Sequence, residues 1–114
     1  MKDYLILFRE PDGRIDEHTA EETTIHRQHW ADWFAKWSGR GRLAGGSALS
    51  LEGTLITGDG SIITKSIHLV GTEIVGGFLL IKAESLDEAS TIIASCPIFE
   101  SGGYAEVREF MSVN

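Results

Sequence analysis

The sequence contains a single cysteine, Cys96, among its 114 residues. One cysteine excludes an internal disulfide, a four-cysteine metal site and an iron–sulfur cluster held by one chain. The cysteine content therefore favours a reducing compartment, and we expect a cytoplasmic protein with no cofactor.

Basic residues are also scarce, with 10 Lys and Arg against 17 Asp and Glu, a net charge of −7 and a pI near 5.0. Phosphate binding needs clustered Lys and Arg, so this balance argues against nucleic acids and anionic membranes as partners. The only basic stretch is interrupted by Asp32 and is typical of a solvated helix face: Arg27, Lys36, Arg40 and Arg42.

Long apolar runs are missing as well. The first one, Tyr4 to Phe8, has five residues and lacks a following cleavage site, so we expect a strand and no signal peptide. No run approaches the roughly 20 residues that a membrane-spanning helix needs.

Apolar residues make up 42% of the chain, enough for one domain that spans residues 1–114. After the first strand we expect a polar loop to Thr19. Thr19 and Glu22 have the spacing of a capping box, which predicts a helix from there to Gly39. Its apolar positions recur at the helical period and predict one buried face: Ile25, Trp30, Trp33, Phe34 and Trp37.

Short β-prone segments follow this helix, at 43–49, 54–57 and 61–64. Asp59-Gly60 between the last two predicts a hairpin turn. Gly76-Gly77 precedes a further strand, 78–83. Ser85 and Glu88 repeat the capping-box spacing, and Pro97 should close a helix with the apolar stripe Leu86, Ala89, Ile93 and Cys96. The last predicted strand is Tyr104 to Met111.

This order predicts an α+β fold, a ferredoxin-like antiparallel sheet with both helices on one face. The other face would carry alternating apolar residues from four strands without a cover. Packing of two copies sheet to sheet is the expected cover, so we predict a homodimer.

Several segments resemble YCII-related, DGPF-type proteins: CPIFESGGYAEVR at 96–108, EIVGGF at 73–78, SLDEA at 85–89, and the pair Trp30 and Trp33. The resemblance spans nearly the whole chain. It implies a dimeric α+β barrel with a cleft in each subunit. One relative type is a dehydrochlorinase of chlorinated hydroxyquinols, and a His and Asp pair has been proposed for YCII-like members.

The sequence departs from the family at the signature motif and at one member of the proposed His and Asp pair. The Asp-Gly-Pro-Phe signature falls on residues 65–68, which read KSIH, and Thr72 stands in place of a Lys. Cys96 occupies the position of the YCII-branch Asp. His29, in an Arg-Gln-His context, matches the branch histidine, so the resemblance implies that half of the pair is present.

His29 is accordingly the candidate catalytic residue, because an imidazole can accept and release a proton near neutral pH. The alternative is a helix residue that borders the core. His26, one turn earlier, could form a metal site with His29 and Glu22, but a pair without a clear third ligand is a weak signal, and we predict no metal.

Candidate substrate-binding residues are His26, Trp30, Trp33, His68 and Glu73. The tryptophans have core spacing, so at most one should reach a pocket wall. His68 and Glu73 flank the replaced signature and could line a cleft or lie on the solvated surface.

Three functions remain open from the sequence. The first is a dimer that binds a small, partly aromatic or phenolic molecule between the first helix and the sheet. The second is a lyase or isomerase in which His29 moves a proton. The third is a regulatory or structural dimer without a ligand, favoured if the three tryptophans fill the cleft.

Overall fold

A computed structural model describes residues 1–11 and 19–111 of the chain. The predicted polar loop after the first strand lies mostly at 12–18, outside these residues. Neither helix of the described chain has the length and apolar character needed to cross a bilayer.

The first strand, β1, covers Lys2–Pro11 and shows the alternation that a strand imposes on its side chains. Tyr4, Ile6 and Phe8 are buried, whereas Leu5 and Leu7 point to the opposite face and are half-buried. The uninterrupted apolar run thus supplies both faces of a central strand, of which only one is fully covered within this chain.

Four strands form the main sheet: β1, β2 (Leu43–Ala48), β5 (Glu73–Ala83) and β6 (Tyr104–Glu109). Their order is β2-β5-β1-β6, and all neighbours are antiparallel. With one helix after β1 and one after β5, this is the predicted ferredoxin-like arrangement. A separate hairpin of β3 (Leu55–Thr57) and β4 (Ile62–Thr64) is inserted between β2 and β5.

Both helices begin at the predicted capping residues. Thr19 caps α1 (Ala20–Gly39) by accepting a hydrogen bond from the Glu22 backbone amide at 3.0 Å. Ser85 caps α2 (Leu86–Ala94) through the Glu88 amide at 3.1 Å. These bonds satisfy amides that a first helical turn leaves unpaired, which is why the sequence specifies the helix starts so well.

The core lies between the helices and one face of the sheet. Trp33 of α1 and Ile92 and Ile93 of α2 belong to the same buried cluster as Ile6 of β1 and Ile81 of β5. Both helices therefore cover the same sheet face, as predicted.

Two residues of the predicted helical stripes lie outside this core. Ile25 is 47% exposed and Leu86 is 41% exposed. The α1 residues that contact the core begin at Trp30, so the first turns of α1 extend beyond it. Leu86 is the first residue of α2 and has the same terminal position.

Strand lengths also differ from the prediction. β1 continues to Pro11, β5 begins at Glu73 instead of Phe78, and β6 ends at Glu109 instead of Met111. The glycine pair expected before β5 lies within it, where the register against β1 shifts between Phe8 and Arg9. Gly76 is the extra residue of this β-bulge. Pro97 does not end α2 directly but opens a short 3₁₀ helix, Pro97–Ser101.

The sheet face opposite the helices, called the open face below, has an apolar centre. Leu5 pairs with Leu80 and Leu7 pairs with Phe78, and all four side chains are half-buried in the single chain. Ion pairs flank this centre at either end, Arg9 with Glu106 at 2.5 Å and Lys82 with Asp3 at 2.9 Å. The hydrogen bonds from Arg9 and then Arg108 hold the pKa of the Glu106 carboxyl below its ordinary value.

Residues 49–72, called the arm below, leave the sheet after β2 and return to it at β5. β3 and β4 pair with each other and with no strand of the main sheet. The predicted turn is present: Gly58 and Gly60 have φ of 70° and 98°, values that favour glycine. Large apolar side chains of the arm are exposed, namely Leu49, Leu51, Ile56, Ile62, Ile63, Leu69 and Val70.

Candidate functional site

A cleft of about 630 Å³ opens between α1 and the sheet. Four α1 residues at successive i, i+4 positions form one wall: His26, Trp30, Phe34 and Ser38. Side chains spaced by four residues share one side of a helix, so a single stripe of α1 faces this space. The opposite wall consists of residues from β1, β2 and β5, with Ile98 of the 3₁₀ helix at one side.

Aromatic rings dominate the helix wall. Trp30 stacks on Phe34 with a centroid distance of 5.3 Å and meets Phe8 edge to face at 5.5 Å. Such contacts hold flat apolar surfaces in fixed orientations. The wall can therefore receive another flat, apolar ring.

Glycines create the space on the sheet side. A Cβ atom on Gly46 would lie 2.4 Å from the Phe78 carbonyl oxygen, and Gly46 has φ of 142°. A Cβ atom on Gly77 would lie 3.0 Å from the Ser47 carbonyl oxygen. The strands β2 and β5 thus approach closely because neither glycine has a side chain.

Few polar side chains line the cleft: Glu10, His26, Ser38 and Ser47. Glu10 lies against the bulge, since a Cβ atom on Gly76 would be 2.1 Å from its Oε1 atom. The missing side chain at Gly76 therefore leaves room for this carboxylate at the cleft wall.

His26 is held in place by a neighbour on its own helix. Its Nε2 atom accepts a hydrogen bond from Trp30 Nε1 at 3.1 Å. Because the indole N–H can only donate, a neutral His26 carries its proton on Nδ1. That Nδ1 atom lies 3.8 Å from Oε2 of Glu100.

Glu100 also contacts the second histidine of α1. Its Oε1 atom is 2.5 Å from Nδ1 of His29, whose side chain is 49% exposed. His29 is not among the residues that line the cleft, whereas His26 is. The two histidines are thus joined through one carboxylate, with His26 at the cleft and His29 toward solvent.

The structure separates the predicted substrate-binding residues. His26 and Trp30 line the cleft; Trp33, His68 and Glu73 do not. Trp33 is buried in the core and donates a hydrogen bond to Ser95 Oγ at 3.0 Å. His68 is exposed on the arm. Glu73 accepts a hydrogen bond from the Tyr104 hydroxyl at 2.6 Å, which raises the pKa of Tyr104.

Cys96 is buried beside the core, and burial raises the pKa of its thiol. Two backbone amides act in the opposite direction but have the smaller effect. A raised pKa leaves little thiolate, so packing accounts for this residue better than nucleophilic chemistry does.

Within residues 1–11 and 19–111, no three His, Cys, Asp or Glu side chains are grouped so that they could hold a metal ion. His26 and His29 both lie near the Glu100 carboxylate, at 3.8 Å and 2.5 Å.

Sequence reasoning did not name several residues of the site, among them Phe8, Glu10 and Glu100. Phe8 ends the alternating pattern of β1, so its position on the helix-facing side could have been inferred from the period of two. Glu100 is 71 positions from His29 and lies in a 3₁₀ helix that no pattern predicted. Glu10 depends on the β-bulge, which the sequence shows only as a glycine pair.

Comparison with known proteins gives a structural and a family result. A solved structure of 5-chloro-2-hydroxyhydroquinone dehydrochlorinase (TftG) from Burkholderia phenoliruptrix AC1100, in complex with 2,5-dihydroxybenzoquinone, is similar at 17% identity and a TM-score of 0.46. The alignment covers 94% of this chain and 93% of that one. A comparison with curated proteins found no match. The model of the YCII-related domain matches residues 4–111, and the chain therefore belongs to the YCII-related domain family.

Proposed function

We propose that the protein is a homodimer that binds a small aromatic or phenolic molecule in the cleft between α1 and the sheet. The observation behind this proposal is the cleft itself, about 630 Å³ with a wall of Phe8, Trp30 and Phe34. Small-molecule sites usually measure about 300–1,000 Å³ and are mainly apolar with a few placed polar groups. The volume, the aromatic wall and the polar pair of Glu10 and His26 agree with that description.

A phenolic ring suits the geometry better than an aliphatic chain. Its face can pack on Trp30 and Phe34, while a hydroxyl can bond to the Glu10 carboxylate at the cleft wall. A single carboxylate at this wall also disfavours ligands with a carboxylate of their own. A neutral phenol is the chemistry that the described lining fits.

The homodimer is supported by the open face. Leu5, Leu7, Phe78 and Leu80 form its centre, and the ion pairs Arg9–Glu106 and Asp3–Lys82 lie at its ends. An apolar centre with a polar rim is the usual anatomy of a protein interface. Cytoplasmic location and the absence of a nucleic-acid partner remain predictions from the single cysteine and the net charge of −7.

The ligand-free alternative is not favoured by the cleft. It would be favoured if the three tryptophans filled this space, but Trp33 belongs to the core and, of the three, only Trp30 is among the lining residues. The aromatic residues form a wall and leave the volume open.

We expect Ser38→Trp to weaken the binding of phenols. Ser38 is exposed on α1 and lines the cleft, so an indole can occupy the ligand space without disturbing the core. Calorimetric titration with hydroquinone and catechol should show at least about a tenfold loss of affinity, corresponding to the loss of about 1.4 kcal/mol of ring packing.

Ala35→Trp is the matched control, because Ala35 is exposed on the same helix but does not line the cleft. Cyclohexanol should bind the wild type more weakly than phenol does. Equal affinity of the wild type and Ser38→Trp for every phenol, or no binding of any phenol at millimolar concentration, would overturn the proposed ligand class.

A second function, an enzyme of lyase or isomerase type, is favoured by the contacts of Glu100. A carboxylate that touches His29 at 2.5 Å and lies 3.8 Å from His26 can stabilise a protonated imidazole on either side. In this reading His26 exchanges a proton with the ligand, and Glu100 and His29 position it and exchange the proton with solvent.

For this function we expect His26→Gln to reduce turnover by about 10²–10⁴-fold, the usual contribution of a general acid or base. A chlorinated hydroquinone is a suitable probe, with chloride release as the readout. His29→Ala should reduce turnover less than His26→Gln, since His29 does not line the cleft and acts only through Glu100. Full turnover in both variants would rule out the histidines while leaving ligand binding intact.

A further inference from the structure

The arm exposes more apolar surface than its size explains. Ile56, Ile63 and Val70 are 60%, 63% and 64% exposed, and they belong to a segment of only 24 residues, 49–72. Single exposed apolar residues are common on proteins, but a group within one hairpin marks an interaction site.

The two strands of the hairpin present one apolar face. Ile56 pairs directly with Ile63 across the antiparallel ladder, so both side chains lie on the same side. A two-stranded hairpin that packs on nothing is only marginally stable in water. Since β3 and β4 join no other described strand, this face needs a surface that residues 1–11 and 19–111 of one copy do not supply.

The extended shape of the chain also indicates that the arm lacks a covering surface. Its radius of gyration is 15.9 Å. A compact domain of this length would have about 13 Å. The principal extents of 49, 42 and 19 Å describe a flat body. Among the described strands, β3 and β4 of the arm pair only with each other.

We propose that the arm of each copy packs on a second copy of this chain and buries the Ile56–Ile63 face there. The inference rests on the proposed dimer. In a two-fold assembly each copy offers the same surfaces to the other, so both arms and both open faces can be covered in one interface. The arm contains one Lys, Lys65, and two acidic residues, Glu52 and Asp59, so it contributes −1 to the net charge of −7 and adds little repulsion between acidic copies.

The arm also connects the dimer to the cleft. Its first residue, Leu49, donates a backbone hydrogen bond to the Gly76 carbonyl oxygen at 2.9 Å. Ala48 and Gly76 both line the cleft. Docking of the arm on the second copy therefore fixes one edge of the ligand site, and a loosened arm should weaken phenol binding.

The test is sedimentation equilibrium of the I56S/I63S double variant beside wild type. We expect at least about a tenfold increase in the dimer dissociation constant, because truncating two apolar interface residues usually costs more than about 1.4 kcal/mol. The control is Ile25→Ser, which removes an exposed isoleucine from α1 and should leave the dimer unchanged.

Hydrogen exchange provides the second measurement. Backbone amides of 55–64 should exchange more slowly in the wild type, at concentrations where it is dimeric, than in Leu7→Glu, an open-face variant expected to be monomeric. A wild-type dimer with unchanged affinity in I56S/I63S and no concentration-dependent protection of 55–64 would overturn the arm contact alone. A wild type that stays monomeric would overturn the dimer and the arm contact together. A dimeric wild type that binds no phenol would overturn the ligand class and leave the arm contact standing.

Discussion

Leu7→Glu is expected to convert the proposed dimer into folded single subunits. Leu7 lies at the centre of the open face, opposite Phe78 on one side and Glu106 on the other. Pairing of two sheets would bury the new carboxylate without a partner and next to an existing one. The cost of an unpaired buried charge is about 2–5 kcal/mol, so sedimentation equilibrium should show a dissociation constant raised at least about 30-fold.

The same variant should keep its fold, because Leu7 is half-exposed in the single chain and points away from the helices. Leu86→Glu is the matched control: it adds the same charge at an exposed leucine of α2, on the other side of the sheet, and should leave association unchanged. If Leu7→Glu associates as tightly as wild type, the open face is not the interface.

Ile81→Ala is expected to cause the largest loss of stability. Ile81 is fully buried in β5, where it pairs with Tyr4 of β1 and Leu43 of β2. Deleting three carbons from a closely packed core removes their transfer free energy and leaves a cavity, at a cost of about 2–5 kcal/mol. A domain of this size has a free energy of unfolding of about 5–15 kcal/mol, so at the middle of both ranges the variant should lose about a third of it.

Urea unfolding followed by circular dichroism measures this loss, at one protein concentration for all variants because association shifts the apparent stability. Ile25→Ala is the control, since the same side chain is 47% exposed there and its removal should cost less than about 1 kcal/mol. Equal midpoints for the two alanine variants would show that β5 does not anchor the core.

Local hydrogen bonding and side-chain alternation made much of the fold predictable. The capping residues Thr19 and Ser85 specify their helix starts through bonds to amides three residues away, so a short stretch of sequence contains the whole interaction. The apolar run of β1 likewise predicted a strand, and the structure buries alternate residues of that run. The β-bulge was not predictable, because the register between β1 and β5 depends on residues more than sixty positions apart.

The sequence identified the helix that forms the site, but not which side of that helix faces the cleft. The sequence pointed to α1, with His29 as the candidate catalytic residue and His26 as a candidate substrate-binding residue; of the two, His26 lines the cleft. Burial of Trp33 in the core sets the rotation of α1 and turns the stripe of His26, Trp30, Phe34 and Ser38 toward the sheet edge. Glu100 is brought to the histidines by tertiary packing alone, which no local pattern reports.

The positions of the three tryptophans make their intrinsic fluorescence a probe of the cleft. Trp30 lines the cleft, Trp33 is sealed in the interior, and Trp37 lies beside the cations of Lys36 and Arg40. A flat ring that enters the cleft would stack on Trp30 and quench its fluorescence, while Trp33 and Trp37 supply a constant background. Occupancy can thus be followed on the unlabelled native chain, and a Trp30→Phe substitution would silence the signal.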